Sequence, residues 1–415
     1  MRRKNNWILL LSFCFVMDLF AQMNPIESKI NKQYTFVRKD RNIIYNESEL
    51  YVVFEKLYQQ TVNNNQTINI IHIGDSHLQA DFITSIIRTT LQSKFGNAGR
   101  GLIVPLKLAH TNEPFNFNTS SIWLWKSKRC VFPKQDLPIG IGGVTISIDS
   151  TNVYFTLKTF DTGNLKYGFN KLTLFYEKDS SFGFNIKDSL GKPLAFINPV
   201  SHLQKVDYDV ATWDTLINEV VIQNFKLNDA STKATIFGMS LENNQHGVLY
   251  HTIGVNGAQY KHYSMAQYFC TQSKQLSPDM IILSLGTNEA NDLQFDEDSF
   301  YRDIEKLYLQ LKQENPSAKF LLTTPAGSYF QKTIVNPRMS KATNTIVCFA
   351  QDHNIAYWDL YTLTGAKNSA SNWKKNKLLR PDGVHYTKEG YELQGNLFCK
   401  SFLDTYNRYV TNRSK

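Results

Sequence analysis

Ser76 stands in the segment Gly74-Asp75-Ser76-His77, and far along the chain Asp382 and His385 share the segment Pro381-Asp382-Gly383-Val384-His385. A hydroxyl, an imidazole and a carboxylate are the parts of nucleophilic acyl transfer. The imidazole takes the serine proton, and the carboxylate fixes its tautomer and stabilises the cation that forms. Asp382 and His385 are three apart, so one turn can present both to the same side. Two more segments offer donors for a developing negative charge. Asn288 in Gly286-Thr287-Asn288-Glu289 can aim a side-chain amide, and Gly257 in Gly254-Val255-Asn256-Gly257-Ala258 can present a bare backbone N–H. Each segment also has a plainer reading: Asp75 or Ser76 can simply cap a helix, and the Gly- and Asn-bearing segments are ordinary turn chemistry.

The surrounding elements separate the two readings. Ser76 follows an apolar run at 68–73, read as a buried strand, and precedes apolar residues at helical spacing over 78–95, read as one helix. Such a junction lies at the carboxyl edge of an open sheet, where ligands bind, and beside the free N–H groups of a helix start. Gly286 follows a second buried strand at 280–285, and Gly254 follows the apolar segment 248–253. Further strands are expected at 320–323 and 356–360, with helices at 47–60, 300–313, 341–353 and 388–406. The alternation predicts an α/β unit with a parallel sheet covered by helices on both faces. Between about 110 and 237 the texture changes to short alternating segments at 144–148, 153–157, 171–176, 182–186, 219–225 and 234–239. They predict an all-β sandwich or jelly roll inserted into the α/β unit.

Taken together, the motifs resemble the SGNH (GDSL-type) serine hydrolases. "GDSH" at 74–77 matches their first block, "GVNGA" at 254–258 the second, "GTNE" at 286–289 the third and "DGVH" at 382–385 the fifth. The resemblance implies Ser76 as nucleophile, Asp382 and His385 as its partners, and an oxyanion hole formed by Ser76, Gly257 and Asn288. It implies a flavodoxin-like parallel sheet and no cofactor or metal. His77 stands where Leu is usual, and Glu289 where Asp is more frequent. The long gap between the first two blocks, with "GNAGRG" at 96–101, resembles secreted bacterial peptidoglycan O-acetylesterases of the Ape/PatB type. Those carry a carbohydrate-binding-module-like β-sandwich at that place. The resemblance implies removal of acetyl groups from the 6-hydroxyl of N-acetylmuramic acid. Another acetylated polysaccharide such as xylan is the alternative substrate.

The expected organisation is a signal peptide at 1–22, a hydrolase unit at 23–110 and 238–415, and the insert at 111–237. Arg2, Arg3 and Lys4, a short apolar run from Trp7 to Phe20 and then Ala21 describe a secretory leader, so a secreted or periplasmic place in a bacterial cell envelope is expected. The run is interrupted by Asp18, and no later segment could span a bilayer, so no stable membrane insertion is expected after cleavage. The chain has 415 residues, 42% of them hydrophobic, enough for a sizeable core; its net charge of +9 comes without a long basic run, and no nucleic-acid partner is expected. Cys130, Cys270, Cys348 and Cys399 show no CxxC spacing for zinc, though a disulfide among them is open. Two other classes compete. A metallophosphoesterase needs further His and Asp ligands that cannot be assembled, and it leaves Asp382 and His385 without a purpose. A non-catalytic glycan-binding protein does not need an intact Ser76, Asn288, Asp382 and His385. Trp123 and Trp125 can stack on sugars or sit in the core. Lys374, Lys375 and Lys377 can meet carboxylates or form a solvated face. His72 reads as a satisfied core histidine, and His77 as a local hydrogen-bonding residue.

Overall fold

The computed structural model describes residues 34–132, 134, 136–179, 181–199, 208–229 and 233–413; the leader expected at 1–22 lies outside them. The α/β sheet contains β1 (Ile44–Tyr45), β2 (Thr67–Gly74), β3 (Gly247–Gly254), β4 (Met280–Ser284), β5 (Lys319–Thr323) and β6 (Ala356–Trp358). Their order is β1-β6-β5-β4-β2-β3. All neighbours are parallel except β1, which runs antiparallel at the edge. Without β1 this is the flavodoxin-like order. The crossover direction reverses between β2 and β4, and that switch point opens a crevice at the strands' carboxyl ends.

The strands are apolar on both faces because both faces are covered. Ile68, Ile70, Met280 and Ile282 enter one hydrophobic core with the helices Phe82–Phe95 and Lys388–Arg413. Their alternates Ile71, Ile73, Ile281 and Leu283 enter another, shared with the helices Glu297–Glu314 and Arg338–Asp352. The side-chain period of two distributes each strand between the two cores.

The insert is a pair of antiparallel sheets. One has the order Pro193–Ile197, Phe182–Asp188, Glu219–Lys226, Tyr154–Thr159, Phe117–Ser120. The other has the order Tyr208–Ile217, Phe169–Tyr176, Ala234–Glu242, Val144–Ile148, Lys126–Arg129. Gly101–Ile103 also pairs with the third of these strands, through Met239, Ser240 and Leu241. The strand Ala234–Glu242 runs across position 238, and Gly101–Ile103, which precedes position 110, joins the same sheet, so the sheet holds residues from both sides of the expected divisions. Leu102, Phe237 and Val255 share one core with the sandwich and with Ile281. The insert and one face of the α/β sheet are packed together.

One expected helix is in fact two. The apolar periodicity over 78–95 is broken into Ser76–Gln79 and Phe82–Phe95, with Asp81 between them in the left-handed region at φ 60°. Asp81 leaves the helical path because its carboxylate is drawn inward to two arginines, described below. Among the described residues no helix is long and apolar enough to cross a membrane. Cys130, Cys270, Cys348 and Cys399 are not joined to one another by disulfides.

Candidate active site

β2 ends at Gly74, and the chain turns at once into the helix Ser76–Gln79. Asp75 caps that helix: its Oδ1 accepts from the backbone N–H of His77 at 2.9 Å. The capping reading and the catalytic one are thus compatible, since Asp75 caps and Ser76 is left free. Ser76 Oγ lies 2.9 Å from His385 Nε2, and His385 Nδ1 lies 3.2 Å from Asp382 Oδ2. The other carboxylate oxygen of Asp382 accepts from the N–H groups of Val384 and His385, each at 2.8 Å. Partial burial works against ionising Asp382. These two N–H groups and the imidazole outweigh it and hold the carboxyl below its ordinary range. Gly383 makes this tight turn feasible at φ 79°, where an added Cβ would fall 2.9 Å from Tyr329 Cβ.

The two expected donors lie at neighbouring strand ends. Gly257 follows β3 at φ 82°, a conformation that L side chains rarely adopt. Asn288 lies in the helix Thr287–Asn291 after β4. Its Nδ2 donates to Ala258 O at 2.9 Å and to Asp75 Oδ2 at 3.2 Å. One side chain thus ties the nucleophile turn to the turn that carries Gly257. To act as an oxyanion donor, Asn288 must exchange the longer of these bonds for the substrate oxygen. Burial pushes the Asp75 carboxyl up to about 7, against the bond from His77 and the nearby charge of His385. Glu289 accepts from the backbone N–H of Tyr260 at 2.8 Å, and burial pushes its carboxyl up to about 8.

Several contributors were not visible in the sequence. Gln79 accepts from Asn256 N at 2.7 Å and donates to Asn112 Oδ1 and O, both at 2.8 Å. It holds the turn before Gly257 against the chain entering the insert. Tyr391 OH lies 3.0 Å from His77 Nδ1, and burial lowers the His77 imidazole to about 3, so it is neutral. Asp81 is buried among Arg88, Arg100, Asn116 and Thr84, all of which donate to it. Arg100, a single cation inside a glycine-rich turn, was the one signal of this cluster that the sequence carried.

His72 is buried with Tyr250 OH at 2.7 Å and Ser284 Oγ at 2.6 Å, a satisfied core residue. Trp125 is 2% exposed against Phe155, and Trp123 packs on Tyr154. Lys374, Lys375 and Lys377 are exposed, with Lys374 Nζ 4.7 Å from the Tyr329 ring. Among the described residues, no three His, Cys, Asp or Glu side chains form a group that could hold a metal.

A flavodoxin-like sheet with serine, histidine and aspartate in bonded series at its switch point defines a serine hydrolase of the SGNH type. The chain belongs to the GDSL-like lipase/acylhydrolase family, whose sequence model matches residues 180–398. It is a carboxylic ester hydrolase. The matched span holds Gly257, Asn288, Asp382 and His385 and leaves Ser76 outside. The chain is similar to a solved peptidoglycan O-acetylesterase at 20% identity and a TM-score of 0.71, covering 86% of this chain and 96% of that one. It is also similar to the acetyl xylan esterase AlAXEase, at 21% identity and a TM-score of 0.32 over 37% and 81% of the two chains. A family two carbohydrate esterase from Cellvibrio japonicus aligns at 10% identity and a TM-score of 0.30 over 70% and 99%. No curated protein matches the sequence.

Proposed function

We propose that this chain is a serine acetylesterase of the bacterial cell envelope, secreted or periplasmic, that removes O-acetyl groups from peptidoglycan at the 6-position of N-acetylmuramic acid. The bonded series Asp382–His385–Ser76 carries the reading. The likeness to a peptidoglycan O-acetylesterase, which extends over nearly all of that protein's length, supports the choice of substrate. The leader-like start of the sequence supports export.

In this reading His385 Nε2 takes the Ser76 proton as Oγ attacks the acetyl carbonyl. Asp382 keeps the Nδ1 proton in place and stabilises the imidazolium. The N–H groups of Ser76 and Gly257 and the Asn288 amide receive the oxyanion. Collapse of the tetrahedral intermediate breaks the ester bond. The sugar hydroxyl leaves with the proton from His385, and acetyl-Ser76 remains. Water, deprotonated by His385, then releases acetate and regenerates the serine.

Ser76→Ala tests it. The variant should lose on the order of a millionfold in kcat on p-nitrophenyl acetate, the scale seen when a triad serine is removed. Wild type should release acetate from O-acetylated peptidoglycan. Near-normal turnover by the alanine variant would sink the acyl-enzyme. Acetate from acetylxylan but none from peptidoglycan would replace the substrate and keep the chemistry.

A further inference from the structure

Where the chain enters the insert, three aromatic rings form a row that ends beside the nucleophile. Phe115 stacks on Phe82 with centroids 5.7 Å apart and planes at 18°, and Phe82 stacks on Tyr391 at 6.1 Å and 18°. Tyr391 OH contacts His77, whose ring centroid is 5.5 Å from that of His385. Tyr391 is buried and Phe82 half-buried, while Phe115 is 54% exposed. The outermost ring therefore has one face backed by protein and most of its surface open to solvent.

A buried ionic cluster fixes the spacing of these rings. Phe82 follows Asp81, and Phe115 precedes Asn116. Asn116 Nδ2 donates to Asp81 Oδ2, and Arg100 Nη2 donates both to that oxygen at 2.9 Å and to Asn116 Oδ1 at 2.8 Å. The left-handed conformation of Asp81 starts the second helix anew at Phe82 and so directs that residue toward Phe115. On the other side of the same segment, Asn112 holds Gln79 and receives Asn256 Nδ2 at 2.8 Å. Residues 111–116 thus run along the site from the Gly257 turn to Tyr391. They form a wall built from the first residues of the insert.

An open aromatic face in a fixed wall suits one ligand class in particular. The C–H face of a pyranose is apolar and lies flat on a ring, while its hydroxyls project from the edge toward water and polar side chains. We propose that Phe115, backed by Phe82 and Tyr391, is a stacking subsite for a pyranose that neighbours the acetylated sugar of the glycan. The proposal rests on the reading of the chain as a glycan esterase. It puts the stacking surface at the mouth of the insert, whereas Trp125 belongs to the insert's core.

The test uses the full chain with Phe115→Ala, Phe115→Leu and Phe115→Trp. Acetate release from O-acetylated glycan fragments is compared with hydrolysis of p-nitrophenyl acetate. Calorimetry measures binding of chitohexaose, a β-1,4-linked N-acetylglucosamine hexamer without O-acetyl groups. Phe115→Ala should raise KM on the fragments roughly three- to tenfold, with kcat and p-nitrophenyl acetate turnover within about twofold of wild type. It should weaken chitohexaose binding by a similar factor. Tryptophan should restore both values and leucine should not. An unchanged KM in the alanine variant, an equal loss on both substrates, or a leucine as good as tryptophan would overturn the subsite. Binding is read without turnover, so the two readings fail separately. Phe115-dependent binding by a wild type that releases no acetate from any glycan would keep the subsite and overturn the esterase reading. Acetate release with a Phe115-independent KM would do the reverse.

Discussion

Asp75 and Asp81 stand at the two ends of the short helix Ser76–Gln79, both sealed from solvent, and their surroundings are opposite in kind. Asp75 is hydrogen-bonded only by dipoles, His77 N and the Asn288 amide, with the His385 charge nearby but not bonded to it, and burial prevails, pushing its carboxyl up to about 7. Burial works on Asp81 in the same direction. There the Arg88 and Arg100 guanidiniums outweigh it and hold the carboxyl below its ordinary value. Burial by itself therefore does not decide the state of a carboxyl; full charges within bonding distance do. The difference matches what each residue faces. Asp75 bonds the proposed oxyanion donor, where a permanent negative charge would oppose the developing one. Asp81 faces the insert, where a permanent charge fastens two arginines and Asn116.

The largest effect should come from breaking the charged side of the pair. Asp81→Ala leaves Arg88 and Arg100 buried without their carboxylate. Removing one partner of such a cluster costs about 3–5 kcal/mol, far more than an exposed pair is worth. Urea unfolding should show a loss of that size. A loss below about 1 kcal/mol would mean that water enters and solvates the arginines, and that the cluster is not what holds residues 111–116.

On the uncharged side, the sharper probe is Asn288, which touches Asp75. Asn288→Ala should lower kcat on p-nitrophenyl acetate about a hundred- to a thousandfold, or roughly 3–4 kcal/mol, the usual cost of one oxyanion donor. KM should hardly move, because the donor acts on charge that develops only in the transition state. A change confined to KM would assign Asn288 to ground-state binding and leave the oxyanion to backbone N–H groups.

Asp75 and Asp81 also mark how far the sequence could be read. Ser76, Asn288, Asp382 and His385 could be picked out because each is a reactive type in a turn at the edge of a strongly patterned element. The parallel strands could be found because both of their faces are buried, which writes a continuous apolar run. Within the insert, Val144–Ile148 is buried at every position and was legible, whereas Lys126–Arg129 has no buried residue and pairs at an edge. The break at Asp81 was hidden. Leu78, Phe82, Ile83, Ile86 and Ile87 keep helical spacing straight across it, and its cause lies at Arg88, Arg100 and Asn116. A contact between residues far apart in sequence leaves no periodic trace. The same holds for Phe115 on Phe82, while the visible tryptophan at 125 turned out to be core.

The finest distinction is in the pH dependence of stability, where raised and lowered carboxyls act with opposite signs. Glu289 shares the condition of Asp75: it is buried, pushed up to about 8, and its Oε2 has no hydrogen-bond partner among the described residues. A carboxyl raised in the folded state stays protonated there while the unfolded chain ionises. Its contribution is complete below its unfolded value near 4.5 and is lost as pH rises through about 8. His72, His77 and His251 oppose it on the acid side. Burial lowers each to about 3, so their contribution is complete above about 6.5 and is lost as pH falls toward 3. Asp81, lowered, likewise loses its contribution only in acid. Stability should therefore peak at about pH 6 and decline on the alkaline side through Glu289 and Asp75 alone among these groups. Glu289→Gln keeps an acceptor for Tyr260 N–H and has no proton to lose. Between pH 6 and pH 8 the variant should lose about 2 kcal/mol less than wild type in urea unfolding, since one fully linked proton is worth about 1.4 kcal/mol per pH unit. Asp75→Asn should recover a smaller part, because Asp75 titrates at about 7 rather than about 8. Asp81→Asn should recover none of it. Equal alkaline declines in wild type and Glu289→Gln would show that Glu289 is already ionised at pH 6, and that a charge, not a neutral acid, sits next to Asn288 in its helix.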